Sequence, residues 1–264
     1  MIEFDNVTRT YGRKVAVAGL NLTVPPGELF AFLGPNGAGK TTSIKMLVGL
    51  LRPSSGCVRL GGYDLATDSR RACRLLGYVP DVPFLYDKLT GREFLHFIAG
   101  MHGLDERAAV ERVRREMAHF ELEEFIDELA ETYSHGMKQR LVFAAAMIHD
   151  PSVLVIDEPL VGLDPRSSRL VKNLLREKAD RGAAVFMSTH LLDVAEEIAD
   201  RIGIVDRGRL LCVGTLDELR QSLSQRHTSL EQLFLEVTAA SDERAADEVG
   251  DAKTAPELEH HPSE

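Results

Sequence analysis

Residues 29–42 read LFAFLGPNGAGKTT, and this stretch decides how the chain folds. The five apolar residues 29–33 predict a buried strand, and residues 42–51 predict a helix. Between them, residues 34–41 fit the pattern G-x-x-x-x-G-K-S/T, in which glycines let backbone N–H groups point inward at an anion. The N-terminus of the following helix adds partial positive charge. We therefore predict a phosphate-binding loop made of Gly34, Pro35, Asn36, Gly37, Ala38, Gly39, Lys40, Thr41 and Thr42.

Two side chains of this loop carry specific chemistry. Lys40 is placed to reach the β- and γ-phosphates of a nucleotide, and the hydroxyl of Thr41 to ligate Mg²⁺. A plain glycine turn between a strand and a helix is the alternative, and the Lys-Thr pair disfavours it. The same loop opens many nucleotide enzymes, so the function must be inferred from the rest of the chain.

Four further segments follow the loop in order: YSHGMKQR at 133–140, VLVIDEP at 153–159, GLDP at 162–165 and STH at 188–190. Each is weak alone, but the ordered set resembles the ATP-binding subunit of ABC transporters over residues 1 to about 237. The resemblance implies an α/β fold, with a RecA-like P-loop NTPase core, a small antiparallel β subdomain and an α-helical subdomain. It also implies ATP and Mg²⁺ as cofactors.

The resemblance assigns roles to four residues around the nucleotide. Asp157 and Glu158 end a strand of four apolar residues, so both carboxylates are expected at the carboxyl edge of the sheet. Asp157 would hold Mg²⁺ through water, and Glu158 would polarise the attacking water. In the family, the histidine matched by His190 contacts the γ-phosphate, and an aromatic residue at the position of Tyr11 stacks on adenine.

Another group of residues is expected to act on ATP held by a second subunit. Ser134, Gly136 and Met137 occupy the signature loop of the family, usually Leu-Ser-Gly-Gly-Gln, which reads Tyr-Ser-His-Gly-Met here. The departures at His135 and Met137 leave phosphate binding by the helix N-terminus in place but put any glutamine-dependent contact in doubt. Asp164 is expected at the seam between the two subunits.

Asp81 marks a second departure from the family pattern. It stands in Gly-Tyr-Val-Pro-Asp at 77–81, where the family generally has a glutamine that touches Mg²⁺ or the water. An aspartate still accepts hydrogen bonds and ligates cations, but it is shorter and charged. Asp81 therefore either takes over the role of the family's glutamine at the nucleotide and metal site or lacks that role.

Composition and patterning divide the chain into a domain over residues 1–238 and an acidic tail over 239–264. The tail holds eight acidic and two basic residues and few apolar ones, so we expect it to be disordered. Inside the domain, residues 82–150 are expected to form the helical subdomain. Its predicted core stripes are Phe94, Phe97 and Ile98, and Val110, Val113, Met117 and Phe120.

The charge and hydropathy of the chain exclude several classes of protein. A net charge of −10 argues against a nucleic-acid partner, and no apolar run is long enough to cross a bilayer. The first residues lack the features of a signal peptide, which favours the cytoplasm. We expect a peripheral position at the cytoplasmic face of the membrane, reached through an integral-membrane permease partner.

The signature loop and the segment SLEQLFL at 229–235 look like the exporter branch of the family. The main reading is an ATPase subunit that pairs with an identical or sister subunit around two Mg-ATP and powers export. The first alternative is a soluble ABC ATPase without a transport role. An unrelated kinase or GTPase lacks support because there is no N-K-x-D motif, and a regulatory nucleotide-binding protein is a further alternative. The cargo and the direction of transport stay open.

Overall fold

The strand predicted ahead of the phosphate loop lies inside a six-stranded sheet. The fold comes from a computed structural model that describes residues 1–222 and 229–239. Nearly all of the predicted acidic tail therefore lies outside the described residues. The strands are β1 Ile2–Tyr11, β2 Lys14–Val24, β3 Leu29–Leu33, β4 Ser55–Leu60, β5 Tyr63–Asp64, β6 Leu76–Val79, β7 Val153–Asp157, β8 Ala184–Thr189, β9 Arg201–Asp206 and β10 Arg209–Gly214.

The six-stranded sheet has the order β10-β9-β3-β8-β7-β6. Neighbouring strands from β9 to β6 run parallel, and β10 pairs antiparallel with β9. Every residue of β3 and β7 is buried. Parallel strands covered on both faces require such continuous apolar runs, because neither face meets water. The predicted RecA-like α/β core is confirmed.

A second sheet has the order β2-β1-β4-β5 and is antiparallel throughout. Its strands place Ile2, Phe4 and Val7 in the core, as their near alternation predicts. This sheet is the small antiparallel β subdomain. Phe186 of β8 joins it to the larger sheet, since its ring lies 6.1 Å from Phe4 and 5.3 Å from Phe32, centroid to centroid.

The helices pack around both sheets. Three of them, α3 to α5, contact one another and lie in the sequence between β6 and β7. Thr90 and Glu93 form a reciprocal capping box at the start of α3, and Asp105 caps α4. The limits of the helical subdomain at 82 and 150 stay a prediction. The helices are α1 Lys40–Leu47, α2 Ser69–Arg74, α3 Gly91–Met101, α4 Glu106–His119, α5 His135–Met147, α6 Pro165–Asp180, α7 Leu192–Ile198, α8 Leu216–Ser222 and α9 over 230–239.

Two residues of the predicted helical core are exposed, so those predictions are wrong. Phe97 is 43% exposed and meets Tyr86 edge-on at the surface. Val110 is 54% exposed because the buried face of α4 runs through Ala109, Val113 and Glu116 instead. The buried Glu116 is a position that hydrophobic periodicity assigns to solvent.

No helix in residues 1–222 and 229–239 combines the length and the apolar character needed to cross a membrane.

The ring of Phe186 is fully buried between the two sheets, so its removal should open a cavity. We expect Phe186→Ala to lower the free energy of unfolding by about 3–5 kcal/mol, measured by urea denaturation. Phe84→Ala is the matched control, because Phe84 is 72% exposed and should change that free energy by less than about 1 kcal/mol. Equal losses in the two variants would contradict the assigned core.

Candidate nucleotide site

The glycine-rich loop between β3 and α1 is held tightly by its neighbours. A Cβ atom at Gly34 would lie 2.3 Å from the carbonyl oxygen of Val205, and one at Gly39 would lie 2.5 Å from that of Ala16. Gly39 also has a φ of 106°, which favours glycine. Substitution at either position would therefore displace backbone, and α1 begins at Lys40, two residues earlier than predicted.

Lys40 folds back over this loop and is 6% exposed. Its ammonium group donates to the carbonyl oxygens of Gly34 at 2.7 Å and Pro35 at 3.4 Å. It also lies 3.6 Å from Oε1 of Glu158, which follows β7. The ammonium group thus stands between the loop and a carboxylate, where a bound phosphate would meet it.

The parallel strands bring the other predicted residues to the same sheet edge. In the register of β7 and β8, Asp157 stands beside Ser188, and in that of β3 and β8, Leu33 stands beside Thr189. The carboxyl ends of β3, β7 and β8 are therefore adjacent. These ends lead into the phosphate loop, the two carboxylates and His190, respectively. Three segments that are far apart in the sequence meet in one site.

Asp157 is the most buried carboxylate of the site, with 2% of its surface exposed. The hydroxyl of Ser188 donates to its Oδ1 at 2.5 Å. Burial raises the pKa of Asp157, and the hydrogen bond from Ser188 opposes this rise; the nearby carboxylates Asp81 and Glu158 raise it further, and Lys40 lowers it. The site is therefore rich in negative charge that a cation would compensate.

Glu158 is held by contacts on its backbone and its side chain. Its φ of 50° is left-handed, a strained conformation for a residue with a side chain. Its backbone N–H lies 3.1 Å from the carbonyl oxygen of Ser188. Its Oε2 atom lies 2.9 Å from Nδ1 and 3.3 Å from the backbone nitrogen of His190. The carboxylate is thereby fixed between Lys40 and the imidazole, in a position suited to orient a water molecule.

The oxygen atoms available at this edge fit Mg²⁺. Asp157 supplies a carboxylate, and Thr41 supplies an exposed hydroxyl in the first turn of α1. Asp81, which follows β6, lies within electrostatic range of Asp157, because its charge contributes to the raised pKa of that carboxyl group. Both carboxylates also contribute to the raised pKa of Tyr78, which burial mainly causes and which reaches about 12. Hard oxygen ligands of this kind are those that Mg²⁺ prefers.

Tyr11 lies outside this cluster, at the exposed end of β1. Its ring is 47% exposed and lies under the guanidinium group of Arg9, with 4.8 Å from the guanidinium carbon to the ring centroid. The β2 strand paired with Tyr11 runs on to Ala16, which packs against the loop at Gly39. One face of the ring therefore meets Arg9, and a contact of Tyr11 with adenine stays a prediction.

The signature residues stand at the exposed start of α5. Ser134 caps this helix by accepting a hydrogen bond from the backbone nitrogen of Met137 at 3.3 Å. Among the described residues, no heavy atom outside Gly136, its two chain neighbours and the backbone of its own helix lies within 4 Å of the place where a Cβ of Gly136 would stand. Within the same residues, no hydrogen bond or ion pair joins this segment to Lys40, Glu158 or His190. The chain therefore does not complete the predicted site with its own signature loop.

Asp164 has a structural role that the sequence analysis did not assign. It caps α6, accepting hydrogen bonds from the backbone nitrogens of Arg166 and Ser167 and from the Ser167 hydroxyl. An aspartate immediately before Pro165 at a helix start is a signal for this cap. A contact across a subunit seam stays a prediction for this residue.

Ser188 was also missed as a functional residue, although its segment was singled out. The signal was a hydroxyl at the end of an otherwise apolar strand, next to the residue that leads into His190. The sequence does not reveal the register of β7 and β8, and only that register places Ser188 beside Asp157.

Comparison with known proteins agrees with this geometry. Residues 17–161 match the ABC transporter family. The chain is 36% identical over 83% of its length to the linearmycin resistance ATP-binding protein of Bacillus subtilis, covering 70% of that protein. It is 39% identical over 84% of its length to the daunorubicin/doxorubicin resistance ATP-binding protein of Streptomyces peucetius, covering 67% of it.

Solved structures give the same result. An ATP-binding subunit of an ABC transporter superposes with a TM-score of 0.86 at 34% identity, covering 90% of this chain and 99% of that one. A dimeric ATP-binding cassette in a post-hydrolysis state with ADP and Pi superposes with a TM-score of 0.75 at 25% identity, covering 82% and 99%. The chain therefore belongs to the ABC transporter family, as an ATP-binding subunit that hydrolyses ATP.

Proposed function

We propose that this chain is one of two ATP-binding subunits that enclose two Mg-ATP and power export through an integral-membrane permease. The observation that carries the proposal is the division of the site within one chain. Lys40, Glu158 and His190 form one cluster, whereas the start of α5 at Ser134 and Gly136 is open. A second subunit placed head to tail would supply the missing helix N-terminus to each nucleotide.

The chain's own residues divide the work of hydrolysis. Lys40 binds the β- and γ-phosphates. To do so, its ammonium group exchanges its present contacts with the Gly34 carbonyl oxygen and the Glu158 carboxylate for contacts with phosphate oxygens. Glu158 orients the attacking water, and His190 holds the Glu158 carboxylate in place. Asp157 and Thr41 would hold Mg²⁺, with Asp81 beside them. When bound, Mg²⁺ supplies positive charge to the phosphate oxygens.

Head-to-tail pairing gives the signature loop its task. In the partner's site, the N–H groups at the start of α5 would supply positive charge to the γ-phosphate, as an arginine finger does in other ATPases. Ser134 and Gly136 stand at this helix start, followed by Met137. The dimeric cassette with ADP and Pi supports the pairing of two such subunits. Identical and sister subunits both fit it.

Export as the direction of transport is supported by the relatives. Besides the two drug-resistance proteins, the chain is 38% identical over 84% of its length to a Nod factor export ATP-binding protein of Burkholderia lata. The proposed place of action is the cytoplasmic face of the membrane, where the permease would hold the chain.

A surface for the permease lies beside Asp81. We define the aromatic patch as Phe84, Tyr86 and Phe97, which are between 43% and 72% exposed. Its rings contact one another at centroid distances of 5.7 Å. Leu85, which lies between Phe84 and Tyr86 in the sequence, is only 8% exposed and belongs to the core. Exposed aromatic residues in one cluster are typical anchors of protein interfaces.

The role of Glu158 is tested by Glu158→Gln. This change keeps the shape but removes the charge that orients water, so we expect kcat of the ATPase to fall by about 10²–10⁴-fold. Binding of a fluorescent ATP analogue should persist, because Lys40 and the loop are unchanged. Lys40→Ala serves as the contrast, since it should weaken that binding itself. Wild-type turnover by Glu158→Gln would refute the assignment.

The head-to-tail arrangement is tested by Gly136→Asp. The added carboxylate would repel the partner's γ-phosphate, so ATP-induced dimers should be lost in size-exclusion chromatography. Gly100→Asp in α3 is the matched control, because Gly100 is an equally open helix glycine. Mixing Gly136→Asp with Lys40→Ala should restore ATPase activity that neither has alone, since one complete site forms. The head-to-tail arrangement is contradicted if Gly100→Asp loses the ATP-induced dimers as well, or if Gly136→Asp keeps the ATPase activity of the wild type.

The permease surface is tested by replacing Phe84 and Tyr86 together with alanine. Co-fractionation with membranes should be lost, while the melting temperature and ATP binding are kept. Leu50→Ala is the control, because Leu50 is 70% exposed and is not one of the patch residues. If the double variant unfolds, the patch is part of the core. If the wild-type chain never enters the membrane fraction of its own cells, the chain is a soluble ABC ATPase without transport.

A further inference from the structure

We propose that Ser188 is a positioning residue for ATP hydrolysis, which holds the consecutive carboxylates Asp157 and Glu158 in their working geometry. The inference rests on the hydrolytic site alone and does not depend on export or on the permease. Its basis is the set of contacts that this one side chain makes with both residues.

The Ser188 hydroxyl is fully buried, and its bonding directions are fixed by its neighbours. Its single proton points to Oδ1 of Asp157, because an ionised carboxylate only accepts hydrogen bonds. Its lone pair accepts from the backbone nitrogen of Glu158 at 3.3 Å. The hydroxyl is thus a bridge between the two residues, because it donates to one and accepts from the other.

The bond to Asp157 fixes the rotation of that carboxylate. Oδ1 is occupied by the serine, and within the described residues no hydrogen bond or ion pair is made by Oδ2. Oδ2 is therefore the oxygen left for a cation or for its bound water. Outer contacts of this kind orient the ligands of a metal and tune its affinity.

The bonds to Glu158 stabilise a conformation that its side chain disfavours. Both acceptors of the Glu158 backbone N–H belong to Ser188, its carbonyl oxygen and its hydroxyl. They hold φ at 50° in the left-handed region. From this turn the carboxylate reaches Lys40 and His190. Loss of the hydroxyl removes one of the two restraints at the residue that orients water.

A purely structural role for a buried serine is the alternative, and the chain offers a matched control for it. Ser43 in α1 is 1% exposed, and its hydroxyl has no hydrogen-bond partner within residues 1–222 and 229–239. Ser43→Ala removes the same group from an equally buried position without touching a carboxylate. We expect its kcat and its metal affinity to equal those of the wild type.

The test compares Ser188→Ala and Ser188→Thr with this control. For Ser188→Ala we expect kcat of the ATPase to fall by about 10- to 100-fold, with KM for ATP changed by less than about threefold. The second readout is Mn²⁺ bound with a non-hydrolysable ATP analogue, followed by electron paramagnetic resonance, and its affinity should fall by about tenfold. Ser188→Thr keeps the hydroxyl and should recover most of both losses.

Two outcomes would overturn the proposal. One is a folded Ser188→Ala protein whose kcat and Mn²⁺ affinity both stay within about twofold of the wild type. The other is a loss of melting temperature alone, with both parameters unchanged for the folded protein. If Ser188→Ala fails to fold, Ser188→Cys replaces it, since a thiol keeps the volume but donates weakly. Full kcat and Mn²⁺ affinity in that variant would equally exclude a positioning role.

Discussion

The parallel pairing of β3, β8 and β7 is the constraint on which the site depends. Their register brings Leu33 beside Thr189 and Ser188 beside Asp157. The phosphate loop, His190 and the two carboxylates therefore lie at one edge of the sheet. Parallel strands end at the same side of a sheet, which is why α/β folds bind ligands there. A shift of one residue in this register would turn Ser188 to the opposite face and separate it from Asp157.

Charge balance at this edge follows from burial. Asp157 is nearly inaccessible to water, and burial raises its pKa. Lys40 compensates Glu158 from 3.6 Å, and the Ser188 hydroxyl compensates part of Asp157. The chain therefore holds its carboxylates with fewer positive partners than they need, which is the arrangement that favours binding of a divalent cation. Lys40 and Glu158 are already poised, but the charge that would stabilise a reacting phosphate from the other side stands at an exposed helix start.

Local rules predicted most elements and failed where packing decided. The continuous apolar runs of β3 and β7 announced buried parallel strands, and they are buried. In α4, however, the paired Glu116 takes a core position and Val110 lies in solvent. Hydrophobic periodicity assumes that charged residues face water, and Glu116 breaks that assumption because its buried carboxylate pairs with the half-exposed Arg115. Asp164 shows the reverse case, since its capping of α6 was legible from the residues that follow it.

The sequence by itself determined the phosphate loop, the order of the motifs and the family, because each of these is written in contiguous residues whose backbone chemistry is local. It also placed Asp157 and Glu158 at a strand end. Only the tertiary structure decided that Ser188 bridges these two carboxylates, that Lys40 faces Glu158, and that the signature loop stands apart from them. The physical reason is that hydrogen bonds and ion pairs between distant segments depend on strand order and register, and these are set by the packing of the whole core.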